Sequence, residues 1–262
     1  MSLVFDVLGA GISAPGLPDW PALEAAFAGR SMDGERSSPP SGLLSARERR
    51  RAPAAVKLSF AAAEEACAMA GLRPAEPIAI FSSGMGDLDI TDYMCRTLTD
   101  QPELLSPTRF HNSVHNAASG YWSIGAGATG DVTAISGWRD SATIGLVDAI
   151  SRLGERADQP VLLVVYDDVA HEAMRDLWPS GQSFCGALVI QQTGARQPLA
   201  RLRAHPHRGP DRHPELPQDI ARRISDNPAA RLLPLFGLIA GGLQGDVALG
   251  AEQGPGLVLE RL

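Results

Sequence analysis

Residues 160–166 read Pro-Val-Leu-Leu-Val-Val-Tyr. Both alternating sets of side chains in this run are apolar, so neither face of an extended segment there can meet water. Such a run marks a strand buried on both sides, and a sheet buried on both sides needs a covering layer on each. The clearest helical pattern lies at 53–71, where Val56, Phe60, Ala63, Cys67 and Ala70 share a face. Pro53 suits its first position and Gly71 its stop. Strand patterns at 77–83 and 131–136 alternate with a helix at 140–154, whose Ile144, Val147, Ile150 and Leu153 lie along one side. Asp140 or Ser141 would cap that helix. This alternation over 53–166 implies an α/β fold, a mainly parallel sheet with covering helices.

The flanks read more coarsely. Residues 2–12 are a strand running into a glycine turn, and 18–29 a short helix. Residues 31–53, rich in Ser, Pro, Gly and Arg, read as a loop. Its arginine run at 47–51 is a solvated charged turn, or else a docking surface for an acidic partner. Two strands at 184–192 and 198–204, separated by Thr193-Gly194, suggest an antiparallel edge. Residues 205–217 read as a loop, 217–242 as helix in two pieces broken at Pro228, and 245–261 as returning strand.

The formal net charge is −7, which argues against non-specific nucleic-acid binding, since that depends on cations neutralising phosphates. Lys57 is the one lysine in 262 residues. No apolar run approaches the ~20 residues of a membrane span. The first residues carry no basic leader, so a signal peptide is not expected, and a cytoplasmic location follows. Cys67, Cys95 and Cys185 are far apart and form no zinc or disulfide pattern; Cys67 lies on the apolar helical stripe as a core residue. His205, His207 and His213 fall in the 205–217 loop, with metal binding as the lesser reading. His111 and His115 have the spacing of one helix face, but no HExxH pattern accompanies them. No metal site is expected. Gly84-Met85-Gly86-Asp87 follows a strand but lacks the third glycine of a dinucleotide fingerprint. A G-x-S-x-G elbow is absent as well.

The stretch 106–145, SPTRFHNSVHNAASGYWSIGAGATGDVTAISGWRDSATIG, carries the most chemical information. Its strand ends in an abrupt polar turn, Gly137-Trp138-Arg139-Asp140-Ser141, at a helix start. Turns of this kind favour a nucleophile, because backbone N–H groups converge there on a developing anion.

This stretch resembles the β-ketoacyl synthases of the thiolase superfamily. Their pattern of Ser-Pro, Asn-x3-Gly, a glycine before a strand, and Cys-x-Ser-Gly falls on Ser106-Pro107, Asn116, Gly120, Gly130 and Ser141. LVFDVLGAGISAP resembles the family's first strand and turn, and Glu64-Glu65-Ala66 with Ala70-Gly71-Leu72 its "AAEEAL…AGL" helix. The resemblance covers residues 3–166. It implies a thiolase-like fold, one half of the ketosynthase fold, as a single domain over 1–262 whose residues 167–262 complete it with edge strands and helices.

The family's nucleophile position falls on Arg139, and the glycine after the serine on Ala142. Arginine cannot form an acyl thioester. The family's two histidine motifs are missing, and no lysine follows Lys57. The chain therefore resembles the short, Cys-less chain length factor subunits of aryl-polyene-type pathways, to which SPTRFHNSVHNAASG and VLLVVYDD also point. That resemblance implies a non-catalytic subunit in fatty acid or polyketide biosynthesis. It would pair with a full-length, Cys-containing ketosynthase through the strand at 131–136 and shape the partner's acyl pocket. No cofactor of its own is implied; an acyl carrier protein would deliver a phosphopantetheine-bound acyl chain to the partner. Interface or pocket candidates are Phe110, His111, Ser113, His115, Asn116, Tyr121, Trp122, Trp138, Arg139 and Ser141. Phe110 and Trp122 read equally as packing, and His111 and His115 as hydrogen-bonded structural histidines. Arg139 reads first as an ion pair with Asp140, Asp87 or Asp89, and second as a ligand for a carboxylate or thioester oxygen. The alternative function is a stand-alone acyl-transfer or thioester-hydrolysing enzyme using Ser141 or Cys185, with His115 nearby.

Overall fold

A computed structural model describes residues 2–32, 37–224, 226–252 and 254–262. One eight-stranded mixed sheet gathers strands from both ends of the chain. Its strands are β1 (Leu3–Ser13), β2 (Ile78–Ser82), β3 (Val132–Ile135), β4 (Val161–Asp167), β5 (Phe184–Gln192), β6 (Ala200–His207), β7 (Asp246–Leu249) and β8 (Gly256–Arg261). They run in the order β3-β2-β4-β5-β1-β6-β8-β7. The first three are parallel, and every later neighbour pair is antiparallel.

All seven residues of β4 are buried, as the apolar run requires. Leu162, Val164 and Tyr166 enter one core, Val161, Leu163 and Val165 the other. On the first face lie α3 (Ala54–Met69) and α6 (Ala117–Ala126). The second is covered by α1 (Trp20–Phe27), α7 (Ser141–Glu155), a 3₁₀ turn at Pro228–Leu232 and α9 (Leu233–Ile239). The remaining helices are α2 (Ala46–Arg51), α4 (Leu88–Asp100), α5 (Pro107–Asn112) and α8 (Gln218–Ile224).

α3 sits against the backbone of β1. A Cβ on Gly11 would stand 2.1 Å from the Ala62 carbonyl oxygen, and one on Gly9 2.2 Å from that of Ala66. Glu65 of α3 closes the same junction by accepting the N–H groups of Ile12 and Trp20, at 3.0 and 2.6 Å. On β1, the buried Asp6 carboxylate accepts two bonds from Arg201 and one each from the Gly194 and Ala195 N–H groups.

Several sequence expectations change. The 31–53 segment holds a helix, α2, because Ser45 and Glu48 form a reciprocal capping box ahead of the arginines; positions 33–36 lie outside the described residues. Pro53 precedes α3 as its cap rather than opening it. β5 and β6 do not pair with each other: β1 lies between them, hydrogen-bonded to both. β5 is accordingly an interior strand, its first seven residues buried. β6 runs on through His205 and His207, so these two sit in a strand. The 217–242 helix breaks at Pro228 as read, while 245–261 is a pair of strands, β7 and β8. On α7 the buried apolar residues are Ala142, Leu146, Ala149, Ile150 and Leu153, whereas Ile144 and Val147 are half-buried. Among the described residues no cluster could hold a metal ion, and no helix is long and apolar enough to cross a membrane.

The β1–α3 contact gives a direct test. Gly11→Ala should destabilise the protein by about 2 kcal/mol, because the obstacle is backbone and cannot rotate away. Gly11→Val should yield little soluble protein. Thermal or urea unfolding of the purified variants measures the first effect.

Candidate functional site

The C-terminal ends of β2, β3 and β4 meet at one edge of the sheet, and the turn at 137–141 is built there. Gly137 opens it: a Cβ at that position would lie 2.8 Å from Ile144 Cγ1. Trp138 follows with φ 56°, the left-handed region that a bulky side chain rarely adopts. Its carbonyl and its ring are both engaged. Its carbonyl accepts the Ser141 hydroxyl at 2.7 Å, and its indole meets the Trp178 ring edge-on at 5.1 Å. Ser141 Oγ also accepts the Gly137 N–H at 3.0 Å, and the Ser141 carbonyl takes the Ser82 hydroxyl at 2.7 Å. The buried Ser141 hydroxyl is thus committed to the turn, donating and accepting there, with no hydrogen bond to a basic side chain among the described residues.

Asp167, at the end of β4, anchors the neighbouring strand end. Its Oδ1 accepts the Ser83 hydroxyl and the Gly84 N–H, both at 2.9 Å. The Gly84 carbonyl accepts Ser136 Oγ at 3.0 Å, and His115 Nε2 donates to the Ser83 carbonyl at 2.9 Å. Asn227 ties the Asp167 carbonyl to the C-terminal part of the chain at 2.8 Å. Burial pushes the Asp167 carboxyl up to about 7, against the opposing pull of these hydrogen bonds. Trp178, itself buried, fills the space in front: a Cβ on Gly84 would lie 2.1 Å from its ring.

Arg139 does not form the expected ion pair. It is exposed, and its guanidinium donates to the Leu177 carbonyl at 3.1 Å. Asp140 is taken instead by Arg231, at 2.7 Å, and by the Glu252 N–H. Asp140 therefore caps nothing with its side chain. Asp87 caps α4 through the Ile90 N–H. Arg231 also donates to the carbonyls of Arg139 and Gly250 and, through two nitrogens, to Asp211. A half-buried guanidinium thus locks the turn to the last part of the chain.

The other candidates separate into two groups. Trp122 is core, packed between Phe60 and Phe81 at 5.1 and 5.7 Å. His111 and His115 share no helix face: His111 is on α5, while His115 lies in the turn before α6 and reaches Ser83. Tyr121 donates to the buried Asn112, which in turn donates to the Arg51 carbonyl. Ser113 bonds the Phe110 carbonyl, and Asn116 is exposed at the start of α6. Phe110, Val114, Ile124 and Trp138 expose 58, 50, 72 and 46% of their surface. Phe110, Val114 and Ile124 lie along the stretch that leads to β3 and Trp138 just after it; the four residues of β3 are all half-buried, and the strand ends the sheet with one edge unpaired.

Asp167, Trp178, Asn227 and Arg231 escaped sequence reasoning. Only Asp167 left a signal, as an acid ending a wholly apolar strand. The two buried thiols, Cys67 and Cys185, offer no alternative nucleophile. Burial pushes Cys67 up to about 12 and Cys185 well above its ordinary value, so neither is a ready thiolate.

A model of the β-ketoacyl synthase N-terminal domain matches residues 21–225. Among curated proteins none matches this sequence. Solved structures do. One chain of a ketosynthase (ApeO) in complex with its chain length factor (ApeC) from Xenorhabdus doucetiae is 22% identical, with TM-score 0.74, over 99% of this chain and 100% of that one. A chain of the ishigamide ketosynthase/chain length factor is 17% identical, with TM-score 0.61, over 92% of this chain and 74% of that one. A chain of AntDE:AntF, a type II polyketide synthase acyl-carrier protein with its ketosynthase, is 12% identical, with TM-score 0.69, over 99% of both. These likenesses establish the thiolase-like, ketosynthase fold.

Two substitutions test the site's construction. Unfolded, Asp167 ionises near its ordinary 3.8; folded, it holds its proton to about 7. Stability should therefore fall as pH rises between these values, because the unfolded chain releases a proton that the folded one keeps. Asp167→Asn retains an acceptor for Ser83 and Gly84 and cannot ionise. It should flatten part of that fall and gain about 2 kcal/mol at alkaline pH, seen as urea midpoints across a pH series. Glu65, pushed up by burial to about 7, keeps its own share of the slope. Arg231→Met should cost about 2 kcal/mol, the penalty for a buried pair reduced by partial exposure, and lower the melting temperature.

Proposed function

The chain belongs to the β-ketoacyl synthase N-terminal-domain family, and we propose that it is a non-catalytic, cytoplasmic, chain length factor-like subunit. In this reading it pairs with a full-length, Cys-containing ketosynthase of an aryl-polyene-type pathway and shapes that enzyme's acyl pocket. The observation that carries the reading is the closed turn. Arginine stands where the family's cysteine would act, Ser141 is hydrogen-bonded into the turn, and Trp178 fills the space before it.

The surface beside β3 supports the pairing. An unpaired, half-buried edge strand, with exposed Phe110, Val114 and Ile124 in the segment that precedes it in sequence, is costly to leave in water. A partner strand along β3 would satisfy its free N–H and C=O groups and cover those side chains. The similarity to chains of ketosynthase/chain length factor complexes agrees with this assembly. Phe110 is then the candidate for setting chain length, since Trp122 is spent on the core. The exposed arginines of α2 suit an acidic carrier protein, whose phosphopantetheine arm presents the growing chain to the partner's cysteine.

The test is co-expression with the neighbouring full-length ketosynthase, tagging only this chain. A one-to-one complex should co-purify and condense malonyl units, and the ketosynthase alone should not. Ile124→Lys should weaken the complex at least tenfold. Phe110→Ala should leave it intact and lengthen the product, read by mass spectrometry. A stable monomer that ignores the ketosynthase, or one that turns over acyl thioesters unaided, would overturn the proposal.

A further inference from the structure

A second feature lies on the α3 side of the molecule, apart from the turn and from β3. Between the end of β1, α2 and the first half of α3 runs a cleft of about 790 Å³, the size of a small-molecule site. Its inner wall is apolar: Ala14 and Leu44 are buried there, with Leu58 and Ala61 beside them. Three of the wall's hydroxyls, those of Ser13, Ser38 and Ser41, are engaged within the protein. Ser38 donates to Ser13 at 2.8 Å, and Ser41 donates to Glu64. Three cations also line the cleft: Arg49, Arg50 and Lys57, the last being the chain's only lysine.

These cations are unusual for an acidic chain. None makes an ion pair among the described residues. Arg49 spends one nitrogen on the Leu44 carbonyl at 3.2 Å, while its Nε is buried with no partner among the described residues. Arg50 and Lys57 are exposed. Elsewhere the arginines at positions 201, 212 and 231 each meet a carboxylate at 3.1 Å or less. An apolar trough with uncompensated positive charge at its mouth is complementary to one kind of molecule, with an apolar body and an anionic end.

We propose that this cleft binds a single-chain, long-chain carboxylate, with the hydrocarbon along Leu44, Leu58 and Ala61 and the carboxylate on Arg49, Arg50 and Lys57. Arginine offers a carboxylate two parallel N–H donors. Apolar burial of the chain supplies affinity in proportion to the area removed from water. The site needs no catalytic group, and it stands whether or not the chain pairs with a ketosynthase.

The experiment uses the full chain in whichever assembly it purifies, with cis-parinaric acid as a fluorescent polyene carboxylate. Emission should rise and saturate at one probe per chain. Hexadecanoate should displace the probe, and hexadecanol should be at least tenfold weaker. Arg50→Gln with Lys57→Gln, both at exposed positions, should weaken hexadecanoate about tenfold and leave hexadecanol unchanged. Ala61→Phe, which fills the trough, should remove binding of both while circular dichroism shows a folded chain. The proposal is overturned by no binding, by equal affinity for acid and alcohol, by binding that survives in folded Ala61→Phe, or by inorganic phosphate displacing the probe as well as hexadecanoate does.

Discussion

The turn that would carry chemistry in a condensing enzyme stands on a single buried carboxylate. Asp167 holds the end of β2 through Ser83 and Gly84, and Gly84 in turn receives Ser136 at the end of β3. The same Ser83 accepts His115 from the turn before α6. Three strand ends and one connecting segment therefore share one polar hub inside an apolar setting. A carboxyl group in such a place is stable only when its hydrogen bonds are made or its proton is kept. Asp167 does both, with one oxygen bonded to donors and the other buried without a partner among the described residues.

Arg231 completes the arrangement from the other side. Its guanidinium joins Asp140 and the Arg139 carbonyl to Asp211 and Gly250, so the last part of the chain braces the turn. Catalytic turns leave N–H groups and a nucleophile free for substrate. Here the Ser141 hydroxyl and the Gly137 N–H bond within the turn, and Trp138 is held in a strained conformation by packing on Trp178. Strain at such a position is kept where the surroundings over-determine it. The surroundings in this case serve rigidity, because each hydrogen-bonding group of the turn named here is already engaged within the chain.

The legible parts of the fold were those with a local physical cause. β4 declared itself because every side chain in it is apolar, and α3 because its stripe has helical spacing. α2 has no apolar stripe to mark it: its residues are mostly arginine, and the reciprocal capping of Ser45 and Glu48 is what makes so short a helix hold. The placement of β1 between β5 and β6 has no local cause at all. It depends on Gly9 and Gly11 letting α3 approach, and on Asp6 meeting Arg201 across the sheet. Sequence adjacency pairs Arg139 with Asp140; in space Asp140 belongs to Arg231, from a segment 91 positions away. Long-range partners of this kind cannot be read from spacing.

The position of β1 also orders events in time. This strand is made before the other seven, yet its hydrogen-bonding partners are β5 and β6: Phe5 pairs with Gln192 on one side and Leu202 on the other. Until residues 184–207 have been synthesised, β1 has no strand to join, and the helix that rests on it covers only one face. Contacts of such long sequence separation close slowly, and apart from Asp6 and Ser13 the waiting strand carries only apolar side chains and glycines. The chain thus completes its sheet only after most of it has left the ribosome. During that interval its folding competes with aggregation, and early shielding of β1 governs how much of it reaches the native state.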